Sequence, residues 1–249
     1  MRIAIMTDIH ANLEALEVVL EAIGRAKVDL VACLGDVVGY GADPEACCAL
    51  VRKHAAFTVV GNHDAAVAGR RRGAYHHEDV SAVIRAHQAM ISAESMAWLR
   101  ALPFEELLPE ASAAFCHGSP SDPEQFYYLM RPQEASYVAR CRPDLENFAA
   151  TFFGHTHLPV CFEVAKDFSC EDLGDPTAIK LQPGLRYFVS VPSVGQPRDC
   201  DPRTGFVVYD SSIPAVEFVR LDYDHETAAR KIFQAGLPPR FAHRLSLGV

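Results

Sequence analysis

Three short apolar runs alternate with two helix-like segments near the start of the chain, and this alternation restricts the fold more than any other feature. The runs cover residues 3–6, 30–34 and 57–60. Between the first two, residues 12–25 place apolar side chains three or four positions apart, the spacing of one face of an α-helix. Pro44 opens the second helical segment, which continues to Val51. Because strand and helix in alternation are typical of right-handed βαβ units, the sequence predicts an α/β fold with a parallel sheet.

The rest of the chain also reads as helix and strand. Residues 65–103 have a mostly helical pattern, in which Ser92 suits the N-cap of a helix. Further strands are expected at residues 113–116, 151–153, 160–164, 187–191, 206–209 and 215–221. Little helix separates the last four, which predicts antiparallel or mixed pairing. A long loop is expected at 192–205 and a last helix at 224–234. The 249 residues fit one large domain, residues 1–249.

Five of the predicted strands end in polar residues that can bind a metal or transfer a proton. These are Asp8 and His10, then Asp36, then Asn62 and His63, then His117, and finally His155 and His157. Gly61 interrupts the run before Asn62 and His63, which predicts that these two residues lie on a tight turn. Because α/β sheets bind ligands at the carboxyl ends of their strands, we expect the residues of the first three motifs, Asp8, His10, Asp36, Asn62 and His63, to lie along one edge.

His63 apart, this set contains two carboxylates, four imidazoles and one amide, and no thiolate. Such ligands suit manganese, iron, zinc, cobalt or nickel. Any one of the histidines could be an ordinary core or turn residue, but their common position at strand ends favours a metal site. Two carboxylates can hold two cations if one of them bridges. Asp36 is the expected bridge, because its motif lies between the other two amino-terminal motifs. We therefore predict two divalent transition-metal ions, with manganese as the first choice.

Composition excludes several partners. The formal net charge of −9 argues against non-specific nucleic-acid binding, which needs a basic surface. No apolar run approaches the roughly 20 residues that span a bilayer, so no membrane partner is expected. The chain starts with a strand-like segment where a signal peptide would have an apolar core. Eight cysteines without paired spacing are expected to be free thiols, which predicts a cytoplasmic protein.

In order and residue type, the five motifs resemble those of the calcineurin-like metallophosphoesterases. They are Asp8-x-His10, Gly35-Asp36, Gly61-Asn62-His63-Asp64, His117-Gly118 and Gly154-His155-x-His157. The resemblance implies a four-layer α-β-β-α sandwich of two mixed sheets flanked by helices, with a dinuclear metal site at the loop edge. It assigns Asp8, His10 and His157 to one metal, Asn62, His117 and His155 to the other, and Asp36 to both.

The resemblance also implies an activity, the hydrolysis of a phosphodiester or phosphomonoester. A hydroxide shared by the two metals would attack phosphorus, and His63, which matches the family's proton donor, would protonate the leaving alkoxide. Two divalent cations, two carboxylates and one hydroxide leave a charge of about +1 at the site. The expected partner is therefore a small phosphate ester, nucleotide derivatives included, despite the overall charge of −9.

The chain departs from one branch of this family. Phosphoprotein phosphatases, and the diadenosine tetraphosphate hydrolases similar to them, follow Gly-Asp with Val-Asp-Arg-Gly. Here Gly35-Asp36 is followed by Val37-Val38-Gly39-Tyr40-Gly41, so the Asp-Arg pair is missing. The chain looks more like the compact prokaryotic phosphodiesterase-like branch. Phosphoprotein phosphatase and dinucleoside polyphosphate hydrolase remain the alternative activities. A metal-binding scaffold for protein interaction is the non-enzyme alternative, but the presence of His63 and all seven ligands favours an enzyme.

Other polar and aromatic residues near the motifs have more than one interpretation. Capping of the next helix is favoured for Asp64 over orientation of His63. A solvated surface is favoured for Arg70, Arg71 and Arg72 over contact with substrate phosphate. Tyr40 can stack on a substrate or fill its turn, and Arg198 can clamp a phosphate, which is the less favoured interpretation. Core packing is favoured for Tyr127 and Tyr128, and a surface or helix position for His76, His77 and His87.

Overall fold

The computed structural model describes residues 1–70 and 77–249, and its elements alternate as the sequence predicts. The strands are β1 (Arg2–Met6), β2 (Leu30–Cys33), β3 (Phe57–Thr58), β4 (Glu105–Leu108), β5 (Ala113–Cys116), β6 (Ala150–Phe153), β7 (Val160–Val164), β8 (Cys170–Asp172), β9 (Ala178–Lys180), β10 (Arg186–Ser190), β11 (Thr204–Asp210) and β12 (Ala215–Leu221). The α-helices are α1 (Leu13–Arg25), α2 (Pro44–His54), α3 (Asn62–Val67), α4 (Glu78–Met90), α5 (Ala93–Ala101), α6 (Pro132–Cys141), α7 (His225–Gln234) and α8 (Pro239–Leu245).

Within the described residues, the strands form two mixed sheets of six strands each. The first sheet has the order β3-β2-β1-β11-β12-β9, and the second has the order β4-β5-β6-β10-β7-β8. In the first sheet β1, β2 and β3 are parallel, and in the second β5, β6 and β10 are parallel. The remaining pairings are antiparallel. The predicted parallel strands β1, β2 and β3 are therefore one half of the first mixed sheet, and the second sheet has a parallel half of its own.

Alternation along β1 shows how the layers are stacked. Ile3 and Ile5 point into the core between the two sheets, whereas Ala4 and Met6 point toward the helices that cover the first sheet. Phe152 of β6 reaches the same inter-sheet core and is fully buried. Burial of such a side chain stabilises the fold by roughly 2 kcal/mol. Helix α6 covers the outer face of the second sheet. The result is the expected four-layer α-β-β-α sandwich.

The two sheets are joined where their parallel strands end. Thr7, directly after β1, forms a parallel bridge with Ser193, which follows β10. The backbone N–H of Gly195 donates to the Asp8 carbonyl at 2.8 Å. Gly154 after β6 packs so closely here that a Cβ would lie 2.1 Å from Thr7 Oγ1. Loops from both sheets therefore meet at one edge, as ligand sites in α/β folds require.

One local expectation is wrong. Asn62 and His63 are the first two residues of α3, not residues of a turn before it. Gly61 is the N-cap, and Asp64, in the third helical position, accepts from the Gly61 N–H at 3.1 Å. This bond satisfies a backbone donor at the helix start and lets the helix begin early. The second carboxylate oxygen of Asp64 accepts from Val38 N, so Asp64 caps, as favoured.

Other elements bear out or extend the sequence analysis. Ser92 caps α5 by accepting from the Ser95 N–H, and Asp224 likewise caps α7. Strands β4, β8 and β9 and helices α6 and α8 were not predicted. The three strands have only three or four residues each, too few to establish a period.

Two expectations from composition can be compared with the structure. All eight cysteines are free, and Cys47 and Cys48 are buried on α2 as small apolar residues. Among residues 1–70 and 77–249, no helix is both long and apolar enough to cross a membrane.

Candidate metal centre

Side chains from five motif loops converge in the space where the two sheets meet. A first group consists of Asp8, His10 and His157, each of which offers one ligand atom within 4.8 Å of the others. His157 Nε2 lies 3.1 Å from His10 Nε2 and 3.3 Å from Asp8 Oδ1. All three side chains are buried. Loops after β1 and β6 therefore bring two imidazoles and a carboxylate together, although 147 positions separate His10 from His157 in the sequence.

A second group lies beside the first and consists of Asp36, His117 and His155, again within 4.8 Å. His117 Nε2 is 3.4 Å from Asp36 Oδ2 and 3.1 Å from Asn62 Oδ1. Asn62 thus joins this group through its amide oxygen, the atom that an asparagine offers to a metal. The second group therefore contains one carboxylate, two imidazoles and one amide.

Asp36 reaches both groups. Its Oδ2 lies 3.4 Å from His117 Nε2 in the second group and 3.7 Å from His10 Nε2 in the first. This position follows from the topology, because β2 lies between β1 and β3 in the sheet and Asp36 follows β2. The geometry therefore places Asp36 where the sequence predicts a bridging carboxylate.

In three histidines a backbone carbonyl holds a proton on Nδ1 and so directs Nε2 toward the cluster. The Nδ1–H of His10 donates to the Val38 carbonyl at 3.2 Å, and that of His117 donates to the Leu34 carbonyl at 2.7 Å. His157 Nδ1 donates to the carbonyl of Gln196. A carbonyl only accepts, so each Nδ1 carries the proton and each Nε2 faces the cluster.

Each of the two aspartates at the centre has one oxygen that accepts hydrogen bonds and one that, within the described residues, does not. Asp8 Oδ2 accepts from Thr7 Oγ1 and the His155 N–H, and Asp36 Oδ1 accepts from the His63 N–H. Asp8 Oδ1 and Asp36 Oδ2 are buried and, within the described residues, make no hydrogen bond. Nearby, the Nε2 lone pairs of His10 and His157 face each other at 3.1 Å. Buried charge without a partner is costly, and bound cations would satisfy these atoms. The residues therefore fit divalent metal ions.

The backbone at this edge is strained. Five of the candidate ligands have φ between 49° and 66°, the left-handed region that non-glycine residues rarely occupy: Asp8, His10, Asp36, His155 and His157. Each such residue costs on the order of 1–3 kcal/mol and persists only where its surroundings hold it. Such conformations cluster at functional sites, which adds an observation independent of side-chain chemistry.

Burial keeps most of the imidazoles neutral. It lowers the pKa of His155 to about 3 and that of His63 to about 4, and it holds the pKa values of His10 and His157 well below their ordinary range. Removing a charged ring from water disfavours its protonated form. Metal binding needs neutral imidazoles, so these four rings are already in the state that a cation requires.

His117 and the two aspartates behave differently. Burial by itself lowers the pKa of His117, but the negative charges of Asp36 and Asp8 outweigh it and raise this pKa to about 9. Burial raises the pKa of Asp8 to about 6. For Asp36 burial acts in the same direction, but His117 and His63 hold the pKa of this carboxyl well below its ordinary value. At neutral pH the cluster thus holds its extra proton on His117, beside two carboxylates that attract a cation.

His63 lies next to the cluster at the start of α3. One of its ring nitrogens is within 4.8 Å of ligand atoms on His10 and Asp36. Its Nε2 is hydrogen-bonded to the Tyr40 hydroxyl at 3.0 Å. His63 therefore sits beside the candidate metal ligands, with its side chain 3% exposed in relative area and held by a phenol.

Several neighbouring residues differ from their favoured interpretation. Tyr127 and Tyr128 do not pack in the core, because they are 56% and 52% exposed, and the Tyr128 ring stacks on His155 with centroids 4.2 Å apart. In the same irregular segment it is the flanking Phe126 and Leu129 that are buried. Arg70 is not simply solvated, since it donates to the Leu102 carbonyl and covers the Phe104 ring. Arg71, Arg72 and His76 lie outside the described residues.

His77 and His87 occupy surface and helix positions respectively, as favoured. His77 is exposed before α4. His87 lies on α4 but is fully buried, and it hydrogen-bonds the backbone of Gly39 and Gly41. A signal for this burial was present, because His87 shares the helical spacing of Val80 and Ile84. The sequence analysis missed the role of His87.

Comparison with known proteins gives a consistent picture. The family model of calcineurin-like phosphoesterases matches residues 1–159. An uncharacterized protein of Methanocaldococcus jannaschii is 34% identical over 249 residues, which cover 99% of this chain and 98% of that protein. The crystal structure of a metallophosphoesterase from Sphaerobacter thermophilus is 32% identical, with a TM-score of 0.84 and coverage of 100% of this chain and 99% of that one. A hypothetical protein from Pyrococcus horikoshii shares the fold at 18% identity, with a TM-score of 0.79 and coverage of 100% and 98%.

Proposed function

This chain belongs to the calcineurin-like phosphoesterase family, and we propose that it is a dinuclear metal-dependent phosphoesterase. The observation that carries the proposal is the position of Asp36 Oδ2, which lies 3.4 Å from His117 Nε2 and 3.7 Å from His10 Nε2. One metal would be held by Asp8, His10 and His157, the other by Asn62, His117 and His155, and Asp36 would serve both. Manganese is the first choice among iron, zinc, cobalt and nickel, given oxygen and imidazole ligands without thiolate.

Two cations bound there would polarise the phosphoryl oxygens of an ester and activate a water molecule. The chain's own contribution is to hold the ligands rigidly. Outer hydrogen bonds fix the rings of His10, His117 and His157. The backbone N–H groups of His155 and His63 donate to the carboxylates of Asp8 and Asp36 and hold them in place. Such preorganisation makes reorganisation during the reaction small.

His63 is the proposed proton donor. Its backbone N–H donates to Asp36 Oδ1 at 2.8 Å, so the residue is tied directly to the proposed bridge. Burial lowers the pKa of its imidazole to about 4 in the free site. A phosphate-ester anion bound beside the ring would favour the protonated form. As the bond between phosphorus and the leaving oxygen breaks, the proton would pass from the ring to that oxygen, and the ring would return to its neutral form.

Leaving-group dependence tests this role. We expect His63→Ala to retain two metals and to lower the rate with an alkyl or nucleoside phosphodiester by about 10²–10⁴, the usual contribution of a positioned general acid. With a nitrophenyl ester the deficit should be much smaller, because nitrophenolate leaves without a proton. The assay uses protein stripped with a chelator and reloaded with manganese. His54→Ala is the matched control, since His54 is exposed at the end of α2.

Each result that contradicts this role of His63 points to a different alternative. Equal deficits for both leaving groups would mean that His63 binds substrate and does not donate a proton. Loss of metal in His63→Ala would make it a ligand, which its proximity to His10 and Asp36 allows. If the metal-loaded protein hydrolyses no ester, cyclic nucleotide, dinucleoside polyphosphate or phosphopeptide, the proposal fails in favour of a metal-binding scaffold. Preference for a dinucleoside polyphosphate or a phosphopeptide would select one of the two alternative activities.

A further inference from the structure

Tyr40 touches the proposed proton donor directly. Its hydroxyl lies 3.0 Å from His63 Nε2, and its ring packs on His10, with centroids 4.4 Å apart, and on Phe241 at 4.7 Å. Only 9% of the residue is exposed. A buried phenol at this distance restricts both the position and the orientation of the imidazole ring.

The loop that carries Tyr40 is held from both sides. His87 Nδ1 accepts from the Gly39 N–H at 3.1 Å, and His87 Nε2 donates to the Gly41 carbonyl at 2.9 Å. A Cβ at Gly39 would lie 2.6 Å from His63 Nδ1, and one at Gly41 would lie 2.4 Å from the His10 carbonyl. Tyr40 itself has a φ of 59°. The surrounding contacts therefore hold the backbone of Tyr40 in a strained conformation, which is expected where a side chain must be placed accurately.

Arg198 determines the direction in which the Tyr40 hydroxyl donates its hydrogen bond. Arg198 Nη2 donates to the Tyr40 oxygen at 3.3 Å and to Gln196 Oε1 at 3.2 Å. A guanidinium is only a donor, so the phenolic O–H cannot donate to Arg198 and is directed toward His63 Nε2, which can accept. If Nε2 carries the proton, the phenolic oxygen can accept from it instead. The contact therefore survives both forms of the ring.

We propose that Tyr40 is a positioning residue, which, anchored by Arg198, holds the His63 imidazole in place for proton transfer to the leaving group. This inference rests on the proposed phosphoesterase function, but its structural half does not depend on activity. Phenylalanine at position 40 keeps the ring packing and removes the hydroxyl alone, so Tyr40→Phe isolates the contact. Tyr209→Phe is the matched control, because Tyr209 is a buried tyrosine whose hydroxyl donates to the Ala111 carbonyl, in the inter-sheet core.

Kinetics provide the first readout. With two metals still bound, Tyr40→Phe should lower kcat for an alkyl phosphodiester about tenfold, the loss of one hydrogen bond, and change the nitrophenyl rate little. In the His63→Ala background, Tyr40→Phe should have no further effect, because a positioning residue acts only through its partner. Tyr209→Phe should leave both rates unchanged. Additive losses in the double variant, or equal losses for both leaving groups, would overturn the proposal.

A second readout needs no activity. In metal-free protein labelled with ¹⁵N-histidine, long-range correlation spectra should show that His63 carries its proton on Nδ1 and that its Nε2 is unprotonated. The His63 Nε2 signal should shift in Tyr40→Phe and stay in place in Tyr209→Phe. A proton on Nε2, or a signal unmoved by Tyr40→Phe, would overturn the inference. If no ester is hydrolysed, the proposed function fails, and these spectra still decide whether Tyr40 holds the ring.

Discussion

Replacement of His87 by glutamine tests the two hydrogen bonds by which His87 holds the Tyr40 loop. His87 Nδ1 accepts from the Gly39 N–H, so in the folded protein this nitrogen must be unprotonated. Burial lowers the pKa of His87 to about 4, although the hydrogen bond to the Gly41 carbonyl opposes it, and His63 lowers it further. Glutamine keeps a donor and an acceptor on its side chain but cannot titrate.

The sign and size of the effect follow from linkage. The unfolded chain binds a proton on His87 near the ordinary pKa of 6.5, whereas the folded chain binds it only near 4. Between these values the unfolded state holds more protons, so stability is lost as the pH falls. The integrated loss is about 2 kcal/mol at about pH 5 and close to zero at about pH 7.5. At neutral pH, His87→Gln should be destabilised by about 1–3 kcal/mol, because its geometry pairs Gly39 and Gly41 less well.

The assay is urea unfolding with a chelator present at both pH values. The disadvantage of His87→Gln relative to wild type should shrink by about 2 kcal/mol between about pH 7.5 and about pH 5. Other histidines titrate equally in both proteins and cancel. His54→Gln, an imidazole replaced at an exposed position, is the control. If the gap between wild type and His87→Gln is the same at both pH values, His87 is not held neutral and the argument is refuted.

Two further substitutions test the bridge and its support. Asp36→Asn should leave fewer than two metals per chain by elemental analysis, because one carboxylate serves both groups; a full complement would remove Asp36 from the bridging role. Gly61→Ala should destabilise the fold by about 1–3 kcal/mol and reduce metal content, since its Cβ would lie 2.0 Å from Asp36 Oδ1. Gly24 in α1 is the control, because a Cβ there meets nothing within 4 Å, and Gly24→Ala should raise the unfolding free energy by about 1 kcal/mol. Both free energies are measured by urea unfolding. Stabilisation by Gly61→Ala or destabilisation by Gly24→Ala would contradict the packing argument.

The position of the candidate ligands could be predicted because the signal is local. Each polar motif directly follows an apolar run, and parallel strands bring their carboxyl ends to one edge whatever the loop lengths. The position of Asp36 between the two groups could be anticipated for the same reason, since a strand that is second in the chain lies between the first and the third in the sheet. The helices and strands of the first 60 residues could be predicted from short apolar runs separated by a helical period and by Pro44, and they were recovered.

The surroundings of His63 could not be predicted in the same way. Tyr40 and Arg198 are 158 positions apart, and Arg198 lies in a loop without periodicity. No local pattern relates two such residues, because their contact depends on how β10 and β1 are joined at Thr7 and Ser193. For Tyr127 and Tyr128 the favoured core packing was wrong, because an irregular segment has no period that tells which of its apolar side chains are buried, and here these are Phe126 and Leu129.

The Gly39-Tyr40-Gly41 loop contacts His63 from the stretch in which this chain lacks the Asp-Arg pair of the phosphoprotein phosphatases. Glycine at position 39 lets the backbone approach His63 Nδ1 closely, where a Cβ would lie 2.6 Å away. Tyr40 then places an uncharged hydroxyl on Nε2, and the positive charge comes from Arg198 in a different loop. Separating the charge from the positioning group leaves Arg198 half-buried in its own loop, where its Nη2 contacts both Tyr40 and Gln196. Because Arg198 directs the Tyr40 hydroxyl toward His63, the loop sequence and the late arginine are best understood as one arrangement.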